Sequence, residues 1–272
     1  MTDRYAVMGN PVAHSKSPRI HTLFAKQSGQ DLDYSALLVE PGSFPARVAS
    51  FFADGGKGLN ITVPFKQEAW ELADIRSPQA ELAGAVNTLF QDAAGKLQGH
   101  NTDGIGLVRD ILQNHAGRLE GASILILGAG GATRGILLPL LEQRPARICI
   151  ANRTVSKADT LATLFRGHGP VTPCGFEALQ GQVFDWVLNA SAASLQGELP
   201  PLPAGLLHAR SWCYDLMYAS EPTIFCRWAE QQGAEKALDG LGMLVEQAAE
   251  SFWLWRGLRP DTAPVLRALR GG

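Results

Sequence analysis

The sequence predicts an α/β protein with two domains, and three observations lead to this prediction. Short apolar runs rich in β-branched residues alternate with longer amphipathic segments along the chain. One of these runs, residues 124–127, leads directly into a glycine-rich turn and an apolar helical segment. The chain has 272 residues, enough for two domains of ordinary size. We therefore expect a mixed α/β domain and a doubly wound α/β domain, separated by a cleft.

The composition is typical of a globular protein, with 46% hydrophobic and 18% charged residues. The 24 Lys and Arg nearly balance the 26 Asp and Glu, which argues against a nucleic-acid or anionic-membrane partner. No signal peptide and no apolar run of about 18 residues is evident. The four cysteines show no metal-ligand spacing, so we expect free thiols, no bound metal and a cytoplasmic protein. These cysteines are Cys149, Cys174, Cys213 and Cys226.

The first domain is predicted over residues 1–103 and is completed by C-terminal helices over residues 240–272. Ser17 and Pro18 have the pattern of a helix start, and the helix is expected to run to residue 28. Residues 85–90 and 95–98 flank a turn and predict a hairpin. The other expected strands are 5–8, 34–39 and 58–63, and the other expected helices are 44–52, 66–73 and 77–82.

The second domain is predicted over residues 104–239. A helix over residues 104–115, with an apolar stripe, is expected to connect the two domains. A strongly apolar helix over residues 240–256 is expected to return the chain to the first domain. The expected strands of the second domain are 124–127, 147–151, 171–174, 185–189 and 211–215.

The turn after residues 124–127 is the strongest local motif of the chain. Gly128, Gly130 and Gly131 allow the backbone to approach a pyrophosphate, and the free N–H groups of the following helix favour its negative charge. This pattern predicts a Rossmann-type dinucleotide-binding domain. Thr133 stands where the strict fingerprint has Gly or Ala, so the motif by itself also fits a plain strand–turn–helix corner.

The residues after the next strand indicate which dinucleotide is bound. NAD-binding domains usually place an acidic residue here to hold the ribose 2′-hydroxyl. This sequence instead has Asn152, Arg153 and Thr154, with Lys157 one helical turn later. A planar guanidinium pairs well with phosphate oxygens, so the pattern favours the 2′-phosphate of NADP. The alternative is a solvated basic helix start.

Polar residues also follow the predicted strands of the first domain. Ser15 and Ser17 follow the first strand and suit a carboxylate or several hydroxyls, and Lys66 follows the third strand. Asn87 lies inside a strand-like run, and Asp103 begins a helix. Each has a simpler explanation: a helix cap for Ser17 and Asp103, a surface lysine for Lys66, and a backbone partner for Asn87. Their expected convergence on one cleft favours a binding site.

In combination these motifs closely resemble shikimate dehydrogenase, and the resemblance spans essentially the whole chain. On the substrate side the matching segments are GNPVAHSKSP at 9–18, GLNITVPFK at 58–66, GAVNT at 84–88 and GHNTDG at 99–104. On the cofactor side they are GAGGA at 128–132 and NRT at 152–154. In the C-terminal part they are YDLMY at 214–218 and LDGLGMLVEQ at 238–247. The resemblance implies reversible NADPH-dependent reduction of 3-dehydroshikimate to shikimate, on the route to chorismate and the aromatic amino acids.

The resemblance also implies a role for individual residues. Lys66 and Asp103 would be the catalytic pair. The substrate would be held by Ser15, Ser17, Thr62, Asn87, Tyr218 and Gln247. NADP would be bound by Gly128, Ala129, Gly130, Gly131, Ala132, Asn152, Arg153, Thr154, Lys157, Asn189, Leu216 and Gly240. A lysine ammonium is complementary to the negative charge that develops on a ketone oxygen during reduction.

One segment departs from the family pattern. The family commonly has Asn-Ala-Thr-Ser where this chain has Asn189, Ala190, Ser191 and Ala192, so one hydroxyl is lost. Three other hypotheses stay open: a quinate/shikimate dehydrogenase with dual substrate or NAD use, a methylene-tetrahydrofolate dehydrogenase, and a non-catalytic sensor of shikimate or nucleotide. The serine and Asn101–Asp103 motifs argue against the second, and the presence of both Lys66 and Asp103 argues against the third. We expect a small-molecule substrate and a monomer or homodimer.

Overall fold

The computed structural model describes residues 2–191, 193 and 197–271. The chain divides into two compact units, residues 1–106 with 244–272 and residues 107–243. Each unit contains one six-stranded sheet with helices, which confirms the predicted α/β class. No helix in the described part of the chain is long and apolar enough to cross a membrane.

The first unit has a mixed sheet with the strand order β2-β1-β3-β5-β6-β4. Its strands are β1 Asp3–Gly9, β2 Leu32–Leu38, β3 Gly58–Ile61, β4 Ile75–Arg76, β5 Thr88–Gln91 and β6 Leu97–His100. Its helices within residues 1–106 are α1 Ser17–Ser28, α2 Phe44–Ala53, α3 Lys66–Leu72, α4 Pro78–Ala83 and the start of α5 Asp103–Arg109. The predicted hairpin is formed by β5 and β6.

Strand direction in this sheet determines where its polar residues lie. β1 and β3 are parallel, whereas β5 is antiparallel to β3 and to β6. The end of β3, the start of β5 and the end of β6 are therefore neighbours, as the pairs Asn60–Thr88 and Thr88–His100 show. The residues that follow β1, precede β5 and follow β6 consequently meet at one edge of the sheet.

Apolar residues on both faces of the first sheet are buried. One cluster includes Met8, Phe44, Phe65 and Leu89, and the rings of Phe44 and Phe65 stack at 4.8 Å. On the other side, His21 from α1 is fully buried and stacks on Tyr34 at 4.2 Å. These contacts fix the helices whose first residues carry the polar groups.

The second unit has an all-parallel sheet with the order β12-β11-β10-β7-β8-β9. Its strands are β7 Ser123–Leu127, β8 Arg147–Ala151, β9 Val171–Cys174, β10 Phe184–Asn189, β11 Leu207–Asp215 and β12 Lys236–Leu238. Its helices are α6 Gly131–Leu141, α7 Val155–Phe165 and α8 Ile224–Gln231, followed by the start of α9 Leu241–Arg256. The last helix of the chain is α10 Ala263–Arg270. The strand order reverses at β7, where doubly wound sheets bind ligands.

Most boundaries differ from the sequence prediction by one to three residues, strands β4 and β12 and helix α8 were not predicted, and two differences are larger. The helix predicted over 104–115 is α-helical only from Asp103 to Arg109 and continues as a π-helical turn, Asp110–Asn114. Within this turn the buried Asp110 carboxylate accepts hydrogen bonds from Tyr214 Oη at 2.7 Å and Asn114 Nδ2 at 2.9 Å. The last strand predicted, 211–215, begins earlier at Leu207, because Leu207 pairs with Phe184 of β10 before a shift in register to the pair Trp186–Trp212.

Candidate active site

Lys66 and Asp103 form an ion pair at the polar edge of the first sheet. Lys66 is the first residue of α3 and lies five residues after the end of β3 at Ile61, and Asp103 is the first residue of α5. Lys66 Nζ donates to Asp103 Oδ2 at 2.6 Å, and the two side chains are 31% and 17% exposed. Partial burial strengthens this interaction over that of an exposed pair. The pair remains open enough for a ligand to reach it.

The amide of Asn87 fixes the orientation of the Asp103 carboxylate. Asn87 Nδ2 donates to Asp103 Oδ1 at 2.8 Å, so each carboxylate oxygen has its own donor. Asn87 Oδ1 accepts the backbone N–H of Thr102 at 3.0 Å. Asn87 thus binds a backbone group, as its simpler explanation predicts, and also contacts the ion pair. Asp103 is not a simple helix cap, because Asn101 Oδ1 accepts the Asp103 N–H at 3.1 Å.

Gln247, from α9, belongs to the same group within the first unit. Its Oε1 lies 3.4 Å from Asn87 Nδ2 and 3.3 Å from Thr102 Oγ1. Its Nε2 donates to the Leu244 carbonyl at 2.9 Å. The structure therefore brings together Lys66, Asn87, Asp103 and Gln247, which are separated widely in sequence.

A buried polar network that the sequence analysis missed lies behind these residues. Ser251 Oγ accepts from Asn60 Nδ2 at 3.0 Å and lies 2.8 Å from Thr88 Oγ1. Thr88 Oγ1 in turn donates to Asn87 Oδ1 at 2.9 Å, and Tyr34 Oη donates to Asn60 Oδ1 at 2.7 Å. A detectable signal existed, since Asn60 interrupts an apolar strand and Ser251 follows Gln247 by one helical turn in an apolar helix.

Ser15, Ser17 and Thr62 lie at the same edge, after the parallel strands β1 and β3. Ser15 Oγ accepts the Ser17 N–H at 3.2 Å, and Ser17 is the first residue of α1 rather than its N-cap. Burial raises the pKa of Tyr34 well above its ordinary value, and a hydrogen bond with Ser17 opposes this. Thr62 packs against Gly9, where a Cβ would lie 2.3 Å from the Thr62 methyl. Within the described residues, no hydrogen bond joins these three side chains to the ion pair.

The glycine-rich turn of the second unit has the open backbone that a pyrophosphate requires. Gly128 has φ +103°, and a Cβ at Gly130 or Gly131 would meet no atom within 4 Å. Among the described residues, no side chain caps the start of α6. Thr133 is fully buried, and its hydroxyl donates to the Gly128 carbonyl at 2.7 Å. Thr133 thus stabilises the turn. Ala129 and Ala132, which flank Gly130 and Gly131, are half-buried.

The residues after β8 fit a phosphate group. Asn152 Nδ2 donates to the Thr154 carbonyl at 2.8 Å, which closes the loop before α7. Arg153 and Lys157 are exposed, and neither has an acidic partner in the part of the chain that the structure describes. Two unpaired cations beside an open glycine turn form a suitable donor set for a dinucleotide 2′-phosphate. The residues present therefore fit NADP.

Asn189, Leu216 and Gly240 are buried and lie next to one another at the ends of β10 and β11. The Leu216 N–H donates to the Asn189 carbonyl at 2.9 Å, and the Gly240 N–H donates to the Met217 carbonyl at 3.0 Å. A Cβ at Gly240 would lie 2.2 Å from the Leu216 carbonyl oxygen, so this position requires glycine. Ser191 hydrogen-bonds Asn189, whereas Ala192 lies outside the described residues.

Tyr218 follows Leu216 by two residues and is half-buried. Burial raises the pKa of Tyr218, which keeps its phenol protonated as a hydrogen-bond donor. Tyr218 belongs to the second unit, whereas the other predicted substrate residues belong to the first.

Comparison with family models covers most of the chain. Residues 7–89 match the shikimate dehydrogenase substrate binding domain. Residues 110–194 match shikimate / quinate 5-dehydrogenase, and residues 240–270 match the shikimate 5′-dehydrogenase C-terminal domain.

Known proteins give the same assignment. The shikimate dehydrogenase (NADP(+)) of Alkalilimnicola ehrlichii is 57% identical over 99% of both chains. The crystal structure of an Ael1 enzyme from Pseudomonas putida has a TM-score of 0.94 at 48% identity and covers 98% of both chains. Shikimate 5-dehydrogenase from Thermus thermophilus, in complex with NADP(H) and shikimate, has a TM-score of 0.87 at 34% identity over 99% of both chains. At this level of identity over its whole length, the chain belongs to the shikimate dehydrogenase family.

Proposed function

We propose that this chain catalyses the reversible NADP-dependent interconversion of shikimate and 3-dehydroshikimate. The observation that carries the proposal is the half-buried Lys66–Asp103 ion pair, oriented by Asn87 at a sheet edge that carries further polar side chains. Its support from relatives is the NADP-dependent shikimate dehydrogenase of 57% identity. In this proposal residues 1–103 and 240–272 bind the substrate, and residues 104–239 bind NADP.

In the oxidative direction Lys66 accepts the proton of the reacting hydroxyl, and in the reductive direction it returns that proton to the ketone oxygen. Its positive charge also stabilises the negative charge that develops on that oxygen. Asp103 holds the Lys66 ammonium through Oδ2, and Asn87 prevents the carboxylate from rotating away. Asp103 also offers an acceptor to a neighbouring ring hydroxyl.

The remaining polar residues select and orient the substrate. Ser15 and Ser17, beside the start of α1, provide hydroxyls and a helix N-terminus for the carboxylate. Thr62, Asn87, Gln247 and Tyr218 bind the carboxylate and the ring hydroxyls. An amide and a hydroxyl both donate and accept, so together they can satisfy a polyol.

NADP would be held by the open glycine turn, by Arg153, Thr154 and Lys157 at the 2′-phosphate, and by Asn189, Leu216 and Gly240 at the nicotinamide. When bound, it supplies or takes the hydride that the protein itself cannot carry. The residues of the chain place it, exclude water and neutralise its phosphates.

The first test is an assay of the purified protein with shikimate or quinate, each with NADP or NAD. We expect turnover confined mainly to shikimate with NADP. Strong turnover with quinate or with NAD would instead indicate the dual-specificity alternative. Binding of shikimate without turnover in any combination would indicate a sensor.

The Lys66→Ala variant tests the catalytic assignment. Loss of the proton-transfer group is expected to lower kcat at least about 100-fold, with only a small change in the Kd for shikimate. Lys96→Ala, at an exposed turn, is the matched control and should leave kcat unchanged. Unchanged turnover in Lys66→Ala would refute the assignment.

A further inference from the structure

The second unit contains a buried carboxylate that accepts hydrogen bonds from three separate segments. Asp215, the last residue of β11, is fully buried. Its Oδ1 accepts from Asn189 Nδ2 at 3.0 Å and from the Met217 N–H at 3.1 Å. Its Oδ2 accepts from Thr223 Oγ1 at 2.7 Å. An ionised carboxylate is an acceptor with about four lone-pair sites, so it is well suited to join three donors.

The three residues that donate hydrogen bonds to Asp215 make further hydrogen bonds to other residues. Asn189 is also fully buried, and its Oδ1 accepts both the N–H of Ser191 at 3.2 Å and its hydroxyl at 2.7 Å. The Met217 carbonyl accepts the Gly240 N–H at 3.0 Å. Thr223 caps α8 by accepting the Cys226 N–H at 3.1 Å. Asp215 therefore connects Ser191, the 216–218 segment and the start of α8.

We propose that Asp215 is a positioning residue for the reaction: it holds the Asn189–Ser191 and Leu216–Tyr218 segments in their functional arrangement. This inference rests on the proposed function, which places Asn189 and Leu216 beside the nicotinamide and Tyr218 beside the substrate. Asp215 itself is fully buried, so it acts through the residues that it binds. A small displacement of such segments is sufficient to slow a reaction strongly.

Asp215→Ala is the test, and Asp215→Asn is the conservative variant. Alanine removes all three acceptor contacts. Asparagine keeps an oxygen for Asn189 and Met217, and the Thr223 hydroxyl can rotate to accept from its new N–H. We expect Asp215→Ala to lower kcat at least about tenfold with the KM for shikimate changed less than about threefold, and Asp215→Asn to recover most of kcat. Asp159→Asn, on the exposed face of α7, is the matched control.

Amide hydrogen exchange without nucleotide or substrate provides a second readout. The Met217 and Ser191 N–H groups depend on Asp215 and Asn189 for their acceptors, so Asp215→Ala should accelerate their exchange while β7 and β8 stay protected. If Asp215→Ala does not fold, Asp215→Ser is used with the same readouts. It keeps an acceptor near Met217 but is too short to hold Asn189, so Ser191 alone should exchange faster.

Retention of kcat within twofold in Asp215→Ala would overturn the inference. An equal loss in Asp215→Ala and Asp215→Asn, together with faster exchange in β7 and β8, would also overturn it, because that pattern indicates general destabilisation. A wild-type protein inactive with shikimate and NADP overturns the proposed function and the kinetic part of this inference. The exchange rates then decide the hydrogen-bonding part by themselves.

Discussion

In the first unit strand β5 is antiparallel to its neighbours β3 and β6, whereas all strands of the second unit's sheet are parallel. In the parallel sheet the predicted cofactor-binding residues Gly128, Asn152, Asn189 and Leu216 lie at or just after the carboxyl ends of strands. The mixed sheet also uses the start of a strand, because Asn87 precedes β5 and still lies beside residues that follow β3 and β6. The antiparallel strand thus places the amide of Asn87, a residue that precedes a strand, at the edge where the parallel strands end.

The buried polar groups behind the two edges differ as well. In the first unit the network behind the ion pair consists of neutral amides and hydroxyls from Asn60, Thr88, Thr102 and Ser251, and the charged Lys66 and Asp103 side chains are more exposed than these groups. In the second unit a carboxylate, Asp215, is itself buried and collects neutral donors. Neutral groups cost less to bury than a charge, which must be compensated by several hydrogen bonds. We therefore expect the first unit to tolerate loss of a network member better than the second.

The largest effect is expected at the charged group of the first edge. Asp103→Asn preserves the shape of the side chain but removes the charge that holds Lys66. We expect kcat to fall at least about 100-fold while the Kd for shikimate, measured by calorimetry, changes only a few-fold. Asp33→Asn, at an exposed position on β2, is the control. Equal losses in kcat and in binding would show that Asp103 acts in binding instead.

The next largest effect is expected for the pH dependence of stability, through His21, which stacks on Tyr34 in the first unit. Burial lowers the pKa of His21 to about 3, and the nearby Asn60 side chain opposes part of this shift. Among the described residues, neither ring nitrogen has a partner in hydrogen-bond geometry. The unfolded chain titrates near pH 6.5, so it binds more protons than the folded state below that pH. His21 therefore destabilises the fold progressively as the pH falls from about 6.5 toward 3, and has no such effect above 6.5.

His21→Phe removes this titration and retains an aromatic ring against Tyr34. Urea unfolding at pH 7 and pH 4.5 should show that the wild type loses about 2–3 kcal/mol more stability than the variant. Identical losses in the two proteins would contradict the prediction. Comparing each protein with itself cancels any packing cost of the new ring.

A smaller effect is expected at the basic loop of the second unit. Arg153→Glu replaces an exposed, positively charged guanidinium by a negative carboxylate, which would repel the proposed 2′-phosphate. The KM for NADP should rise about 10- to 100-fold, with the KM for NAD changed much less. Arg166→Glu, also exposed in this unit, tests whether net charge alone causes the change. Equal effects on the two cofactors would refute the 2′-phosphate role.

The smallest effect is expected for the neutral network. Ser251→Ala removes the hydroxyl shared by Asn60 and Thr88, each of which keeps another partner. We expect the free energy of unfolding to fall by about 1–2 kcal/mol and kcat to stay within a few-fold of the wild type. Ser50→Ala, on the exposed face of α2, should change neither quantity. If Ser251→Ala lost as much kcat as Asp215→Ala, the expectation that the first unit tolerates loss of a network member better than the second would be wrong.

Several features were predictable because they depend on neighbours in sequence. The period of the apolar residues predicted most strands and helices, including helix α1 from Ser17 to Ser28 and strand β8 from Arg147 to Ala151. The glycine turn and the basic loop were predictable from local backbone and charge requirements. Thr133 looked like a departure from the fingerprint, and only its hydrogen bond to Gly128 shows how it fits.

The sequence by itself determined the α/β class and the motifs that indicate a dinucleotide and a polar substrate, because these follow from spacing over a few residues. Only the tertiary structure decided which polar residues meet. Asn60 and Ser251 are 191 positions apart, Asn87 and Asp103 meet because a strand reverses, and Asp215 reaches Asn189 because β10 and β11 are paired. The physical reason is that hydrogen-bond partners are chosen by distance in space, which depends on strand order and direction as well as local sequence.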